Sequence, residues 1–81
     1  MIWDFEDLYT AGTEKEIEIL KDMDPEIIVK AYMGTSPENA EWLEENLPDV
    51  DFEGVRDKLG RQPIVEIEKA QEYILDCLNK E

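Results

Sequence analysis

The sequence predicts an all-α fold, a compact stack of about five short helices in a single domain. Proline and glycine divide the chain into short segments, and apolar residues recur within each segment at spacings of three and four. Alternation typical of a strand is limited to "PIVEIE", which leads directly into a helical pattern. With 81 residues, of which 42% are hydrophobic, the chain is long enough for one modest core.

The N-terminal part of the chain combines an aromatic segment with a capped helix. "WDFEDLYT" contains Trp3, Phe5 and Leu8, and we interpret it as a short helix or an extended anchor. Thr13 and Glu16 have the spacing of a capping box, in which the threonine caps the first turn and the glutamate bonds back to the backbone. The box predicts a helix whose apolar side is Ile17, Leu20 and Met23.

Two further helices are predicted to begin with a capping residue followed by proline. Asp24 precedes Pro25, and Ser36 precedes Pro37. Proline suits the first helical turn because its missing N–H would have no partner there. Gly34 is predicted to cap the first of these helices at its C-terminus. The apolar residues are Ile27, Ile28, Ala31 and Tyr32 in the first helix, and Ala40, Leu43 and Leu47 in the second.

The rest of the chain predicts two more helices. One extends from about Asp51 to Leu59 and ends at Gly60, and the other extends from about Glu66 to Asn79. Because the connections are short, consecutive helices are expected to pack against one another. The apolar faces are Phe52, Val55 and Leu59 in the first helix, and Ile67, Ala70, Ile74 and Cys77 in the second.

The charge balance restricts the classes of partner. The chain has 22 acidic and 8 basic residues and a net charge of −14. Phosphate groups are bound by clustered lysines and arginines, so we expect neither nucleic acid nor an anionic membrane surface as partner. The longest aliphatic run is Ile27–Val29, so we also expect no membrane insertion. The composition fits a basic protein partner, weak binding of divalent cations, or simply solubility.

The residue types that carry catalysis and metal binding are scarce. The chain has no histidine, and its single cysteine, Cys77, is predicted to be a core residue. One free thiol fits the reducing cytoplasm. "DVDFEG" matches the first half of a calcium loop, but Gly60 stands where such a loop needs a bidentate glutamate, so we interpret the acids as a helix cap and first turn. We therefore expect a cytoplasmic protein without enzymatic activity, cofactor or dedicated metal site.

Four segments of the chain occur in an order typical of one protein family. They are "FEDL" at 5–8, "MDPE" at 23–26, "AYMG" at 31–34 and "IEKAQEYI" at 67–74. They resemble the elements F-E-(D/N)-L, V-D-x-E, A-L-K-G and V-E-x-A-Q-x-x-I of the C-terminal domain of the bacterial flagellar motor switch protein FliG. The resemblance covers about residues 5–78, without a gap as far as Leu59. It implies an armadillo-like, all-α domain on the rotor surface that faces the stator, with a role in motility and chemotaxis.

The resemblance also implies where the charges of the torque-generating surface should lie, and most of them differ here. The family's lysine before the glycine of A-L-K-G falls on Met33, and the arginine that opens the torque helix falls on Val50. Of the acidic pair near the end of that helix, Asp57 matches and Lys58 reverses the charge. The last arginine falls in a connection that is shorter here, with Arg61 as an unaligned stand-in.

The segment "GVRDKLGRQP" is therefore the candidate contact surface, and its candidate partner-binding residues are Arg56, Asp57, Lys58 and Arg61. Helical spacing directs Arg56 and Lys58 outward. Cations near a helix C-terminus also complement the helix dipole, so a purely structural role stays open. The predicted function is a non-enzymatic protein-interaction domain of the motor-switch type. The alternative is an acidic regulatory domain that responds to divalent cations, similar to the cytosolic domain of magnesium channels.

Overall fold

Six α-helices follow a short 3-10 turn near the N-terminus. The computed structural model describes residues 2–80 and places the 3-10 turn at Phe5–Asp7. No strand occurs within residues 2–80, so the all-α prediction is confirmed. The N-terminal segment, for which a helix and an extended anchor were both open, forms the 3-10 turn and the first helix. The helices are α1 (Leu8–Ala11), α2 (Glu14–Lys21), α3 (Pro25–Tyr32), α4 (Pro37–Asn46), α5 (Phe52–Leu59) and α6 (Ile64–Leu78).

The capping residues begin the helices as the sequence predicts. Oε1 of Glu16 accepts hydrogen bonds from the backbone N–H of Thr13 at 2.8 Å and from its hydroxyl at 2.5 Å, which closes the box at the start of α2. The side chains of Asp24, Ser36 and Asp51 accept hydrogen bonds from backbone N–H groups in the first turns of α3, α4 and α5. These bonds satisfy donors that have no partner within the helix, so local sequence determines where these helices begin.

Two helix boundaries differ by two residues from the approximate positions that the sequence predicts. Helix α2 ends at Lys21 rather than near Met23, because the following residues close a tighter turn with 3-10-type hydrogen bonds. Helix α6 begins at Ile64 rather than near Glu66, because Pro63 supplies the extended residue that precedes the first turn. The strand-like alternation of "PIVEIE" therefore belongs to the beginning of a helix.

Helix α3 lies at the centre of the packing, since it contacts both α6 and α5. It buries the adjacent residues Ile28 and Val29 as well as Ala31. A helix with neighbours on two sides needs a wider apolar face than one stripe provides, which explains why Val29 was not among the predicted apolar residues. The other fully buried large apolar side chains are Phe5, Leu8, Leu20, Leu43, Leu47 and Ile74.

Helix α6 buries part of the predicted stripe, since Ala70 and Ile74 lie in the core as predicted and Leu78 joins them. The prediction of Cys77 as a core residue is wrong, because Cys77 and Ile67 are only half-buried. The N-terminal segment covers the end of α6, where the Asn79 side chain makes hydrogen bonds of 3.0 and 2.7 Å with the backbone of Ile2. The buried residues of α6 are Ala70, Ile74 and Leu78.

A polar network joins the N-terminal segment to α4. Asn39 is fully buried. Its Nδ2 donates to the carbonyl of Phe5 at 3.1 Å and to the hydroxyl of Thr35 at 2.8 Å, and its Oδ1 accepts from the N–H of Tyr9 at 3.0 Å. The side-chain amide is therefore satisfied at both ends, as a buried polar group must be.

Glu6 reinforces the same junction. Its carboxylate accepts hydrogen bonds from the hydroxyl of Thr35 at 2.5 Å and from the N–H of Ser36 at 3.1 and 3.2 Å. Partial burial opposes ionisation, but these hydrogen bonds outweigh it and lower the pKa of Glu6. The N-terminal segment is thereby fixed to the connection between α3 and α4.

Candidate functional site

The segment that contains the candidate residues is the C-terminal half of α5 and the connection to α6. Val55 and Leu59 are half-buried and pack against the core, whereas Arg56 and Lys58 are exposed. The orientation predicted from helical spacing is therefore confirmed. Arg61, in the connection, is also exposed.

An open groove of about 410 Å³ lies where the end of α3, the end of α5 and the beginning of α6 meet. We call it the arginine groove. It brings together three of the four candidate residues, Arg56, Asp57 and Arg61, with Met33 at the end of α3 and Ile67 on α6. Residues distant in sequence thus form one surface with charged side chains beside two aliphatic ones.

Lys58 is the candidate residue that does not line the arginine groove. Its ammonium group lies 3.1 Å from a carboxylate oxygen of Glu26, in the first turn of α3. Both side chains are largely exposed, so this ion pair contributes at most about 1 kcal/mol to stability.

Gly60 gives the backbone the conformation that leads from the end of α5 into the connection that lines the arginine groove. Gly60 has φ +69°, which a residue with a Cβ rarely adopts, and its N–H bonds to the carbonyl of Arg56 at 2.9 Å. The predicted end of α5 at Gly60 is therefore confirmed. Nε2 of Gln62 then donates to the carbonyl of Leu59 at 2.8 Å. These contacts fix the connection that carries Arg61.

The aliphatic side of the arginine groove depends on a close approach of α3 and α6. A Cβ placed on Gly34 would lie 2.5 Å from Cγ2 of Ile67, so a side chain at this position would force the two helices apart. Nε2 of Gln71 donates to the carbonyl of Ala31 at 3.0 Å and satisfies an acceptor at the end of α3. Gly34 does not have the left-handed conformation of a glycine cap. Its predicted capping role is wrong, and its role is close packing.

Both arginines of the chain, Arg56 and Arg61, line this groove. Within residues 2–80 the ion pairs are Lys58–Glu26 and Lys69–Glu66, and neither arginine takes part in one. The groove thus presents two guanidinium groups and the carboxylate of Asp57 on a protein with a net charge of −14. The charged side chains that line it sum to one positive charge on an anionic molecule.

A second groove of about 500 Å³ lies on the other side of Arg56, between α3, α4 and the beginning of α5. Its aromatic side chains are Tyr32 and Phe52, whose ring centroids are 4.7 Å apart. The Tyr32 hydroxyl donates a hydrogen bond to the carboxylate of Glu44, and this bond, together with burial, raises the pKa of Tyr32. Val50, where the family resemblance places an arginine, lines this second groove and not the arginine groove.

The aliphatic half of the arginine groove was not identified from the sequence. Met33 was noted only as the position of a lost lysine, and Ile67 was assigned to the core stripe of α6. A methionine and an isoleucine at helix ends give no local signal of a groove, because the groove exists only once α3 and α6 pack together.

Residues 2–80 contain no group of three or more His, Cys, Asp or Glu side chains arranged to hold a metal ion. The first acids of "DVDFEG" do not form a loop site, since Asp51 caps α5 through a 3.0 Å bond from the N–H of Gly54. Among the helices of residues 2–80, none has the length and apolar character required to cross a membrane.

No protein-family model, curated protein or solved structure matches the chain.

Proposed function

We propose that this chain is a non-enzymatic protein-interaction domain, a divergent relative of the C-terminal domain of the flagellar motor switch protein. In this proposal it acts in the cytoplasm, at the cytoplasmic face of the flagellar basal body, and contacts a stator or rotor protein. The contact surface in this proposal is the arginine groove. The observation that carries the proposal is the convergence of Arg56, Asp57 and Arg61 on one open groove.

The geometry supports the family relationship through positions that are distant in the chain. The resemblance assigns charges of the torque surface to Met33 and Asp57 and leaves Arg61 as an unaligned stand-in. These three line the same groove, although they come from the end of α3, from α5 and from the connection that follows α5; Val50 and Lys58, the other assigned positions, lie outside it. A relative that kept the architecture of a contact surface while changing its charges would have this arrangement.

The chemistry of the groove favours recognition over catalysis. The guanidinium groups of Arg56 and Arg61 stay protonated in proteins, so they bind anions but do not exchange protons. Asp57 is exposed, and it is the one carboxylate that lines the groove. Charged side chains around an aliphatic surface, open to solvent, are typical of a site that binds part of another protein.

Site-specific photo-cross-linking tests this proposal. A photoreactive amino acid is introduced at Gln62, beside Arg61, and in a control variant at Glu18, an exposed residue of α2. We expect one protein to be cross-linked from position 62 and not from position 18, and mass spectrometry identifies it. Deletion of the gene is expected to impair motility. Equal cross-linking from both positions, together with normal motility after deletion, would contradict the proposal.

A further inference from the structure

We propose that the arginine groove binds a carboxylate side chain of the partner, flanked by aliphatic residues, even though the protein as a whole is strongly acidic. This inference rests on the proposed function and adds the chemistry of the partner segment. The occupant is an extended protein segment with one isolated glutamate or aspartate between aliphatic neighbours.

The two guanidinium groups supply the carboxylate specificity. Arg56 and Arg61 are exposed, and neither forms an ion pair within residues 2–80, whereas Lys58 and Lys69 each pair with a glutamate. A guanidinium group presents several N–H donors in a fixed plane that matches a carboxylate. Two such groups at one groove form a receptor for an anionic side chain.

The aliphatic residues of the groove favour a partner segment whose carboxylate has aliphatic neighbours. Met33 and Ile67 are half-buried and line the groove, and the close approach of Gly34 fixes the position of Ile67. Ile64 lies one turn before Ile67 on α6 and is 71% exposed. A free inorganic anion would leave these side chains in contact with water. A peptide with an aliphatic side chain next to its carboxylate would cover them.

The charge of the molecule restricts the partner to one carboxylate at this site. At a net charge of −14, the chain repels an acidic segment at distances beyond direct contact. Counted over the charged side chains that line the groove, Arg56, Asp57 and Arg61, one positive charge is in excess, while Arg56 also borders the second groove with its acidic side chains. One carboxylate neutralises that charge, and a second would be repelled by Asp57. A polyacidic segment is therefore a poor occupant.

Peptide titration followed by NMR tests the inference. The probes are acetyl-Gly-Leu-Glu-Leu-Gly-amide and the same peptide with Gln or Lys in place of Glu, added to the full isotope-labelled chain. We expect the Glu peptide to shift the side-chain Nε–H signals of Arg56 and Arg61 and the methyl signals of Met33 and Ile67. Because charge-assisted hydrogen bonds are stronger than neutral ones, its Kd should be at least about tenfold lower than that of the Gln peptide.

Matched variants show whether the two arginines are responsible. Arg56→Gln and Arg61→Gln should each weaken binding of the Glu peptide about tenfold, without a change in Tm, because both side chains are exposed. Lys15→Gln removes the same charge on α2, outside the groove, and should leave Kd within about twofold. Equal binding of the Glu and Gln peptides, no binding of either, or an equal effect of all three variants would overturn the inference. If the peptide test fails in one of these ways while cross-linking at Gln62 still captures a partner, only the carboxylate inference is overturned. The proposed function then stands.

Discussion

Replacement of Gly34 by alanine tests the packing that forms the aliphatic side of the arginine groove. The new Cβ would lie 2.5 Å from Cγ2 of Ile67, which is far inside van der Waals contact. Gly34 does not have a positive φ, so alanine meets no backbone strain at this position. Any destabilisation therefore comes from the contact between α3 and α6.

The expected size follows from two opposing effects. Alanine restricts the unfolded chain, which alone would stabilise the protein by about 0.4–1 kcal/mol. Overpacking against Ile67 costs about 1–3 kcal/mol, because Cγ2 of Ile67 has to shift away from the new Cβ. We expect a net destabilisation of about 1–2 kcal/mol after the two are combined. In a domain of this size, that loss lowers Tm by about 4–16 °C.

Thermal and urea unfolding of a double-mutant cycle provides the assay. The cycle consists of the wild type, Gly34→Ala, Ile67→Ala and the double variant. Ile67→Ala removes the clashing Cγ2, so Gly34→Ala should be neutral or stabilising in that background. The assignment of Gly34 to close packing is refuted if Gly34→Ala alone is as stable as the wild type. It is equally refuted if the substitution costs the same in both backgrounds.

Three further outcomes are expected. Asn39→Ala should destabilise the protein by about 2–4 kcal/mol in urea unfolding, because it leaves the buried N–H of Tyr9 and the carbonyl of Phe5 without their partner; a loss below about 0.5 kcal/mol would contradict the network. The hydrogen bond from Thr13 lowers the pKa of Glu16, and hydrogen bonds lower that of Glu6 against partial burial. Because both folded-state pKa values lie below the ordinary value of 4.5, the added stability is present above pH 4.5 and is lost as pH falls through the folded-state values. Glu6→Gln should therefore show a smaller loss of stability between pH 5 and pH 3 than the wild type, and an identical pH profile would count against the assignment. Magnesium should raise Tm no more than sodium chloride of equal ionic strength, and a saturable rise at millimolar magnesium would instead support the cation-responsive alternative.

The starts of α2, α3, α4 and α5 were predictable because the interactions that determine them are local. The capping box of Thr13 and Glu16, and the caps Asp24, Ser36 and Asp51, each act within one helical turn. The positions of these residues in the sequence therefore carry the information. The same holds for the end of α5, because Gly60 adopts the positive φ that favours glycine.

Features that depend on two or more helices were not predictable in the same way. Asn39 lies one turn before Leu43 on α4, so helical spacing places it on the buried face. The sequence gives no sign that groups of the N-terminal segment will satisfy its side-chain amide. Leu78 is buried and its neighbour Cys77 only half-buried, a difference that spacing along α6 alone does not decide. The arginine groove requires the close approach at Gly34, so the sequence indicated the charged residues but not the aliphatic surface beside them.

Charge reversal at the arginine groove is the most direct test of the central proposal, that this groove is the partner-binding surface. The partner captured by cross-linking is titrated with the wild type, with Arg61→Glu and with Lys58→Glu. Lys58 is the matched control, because it lies in the same segment but outside the groove. We expect Arg61→Glu to weaken binding at least about tenfold with an unchanged Tm, and Lys58→Glu to change it less than about threefold. Equal affinity of Arg61→Glu and the wild type would contradict the proposal.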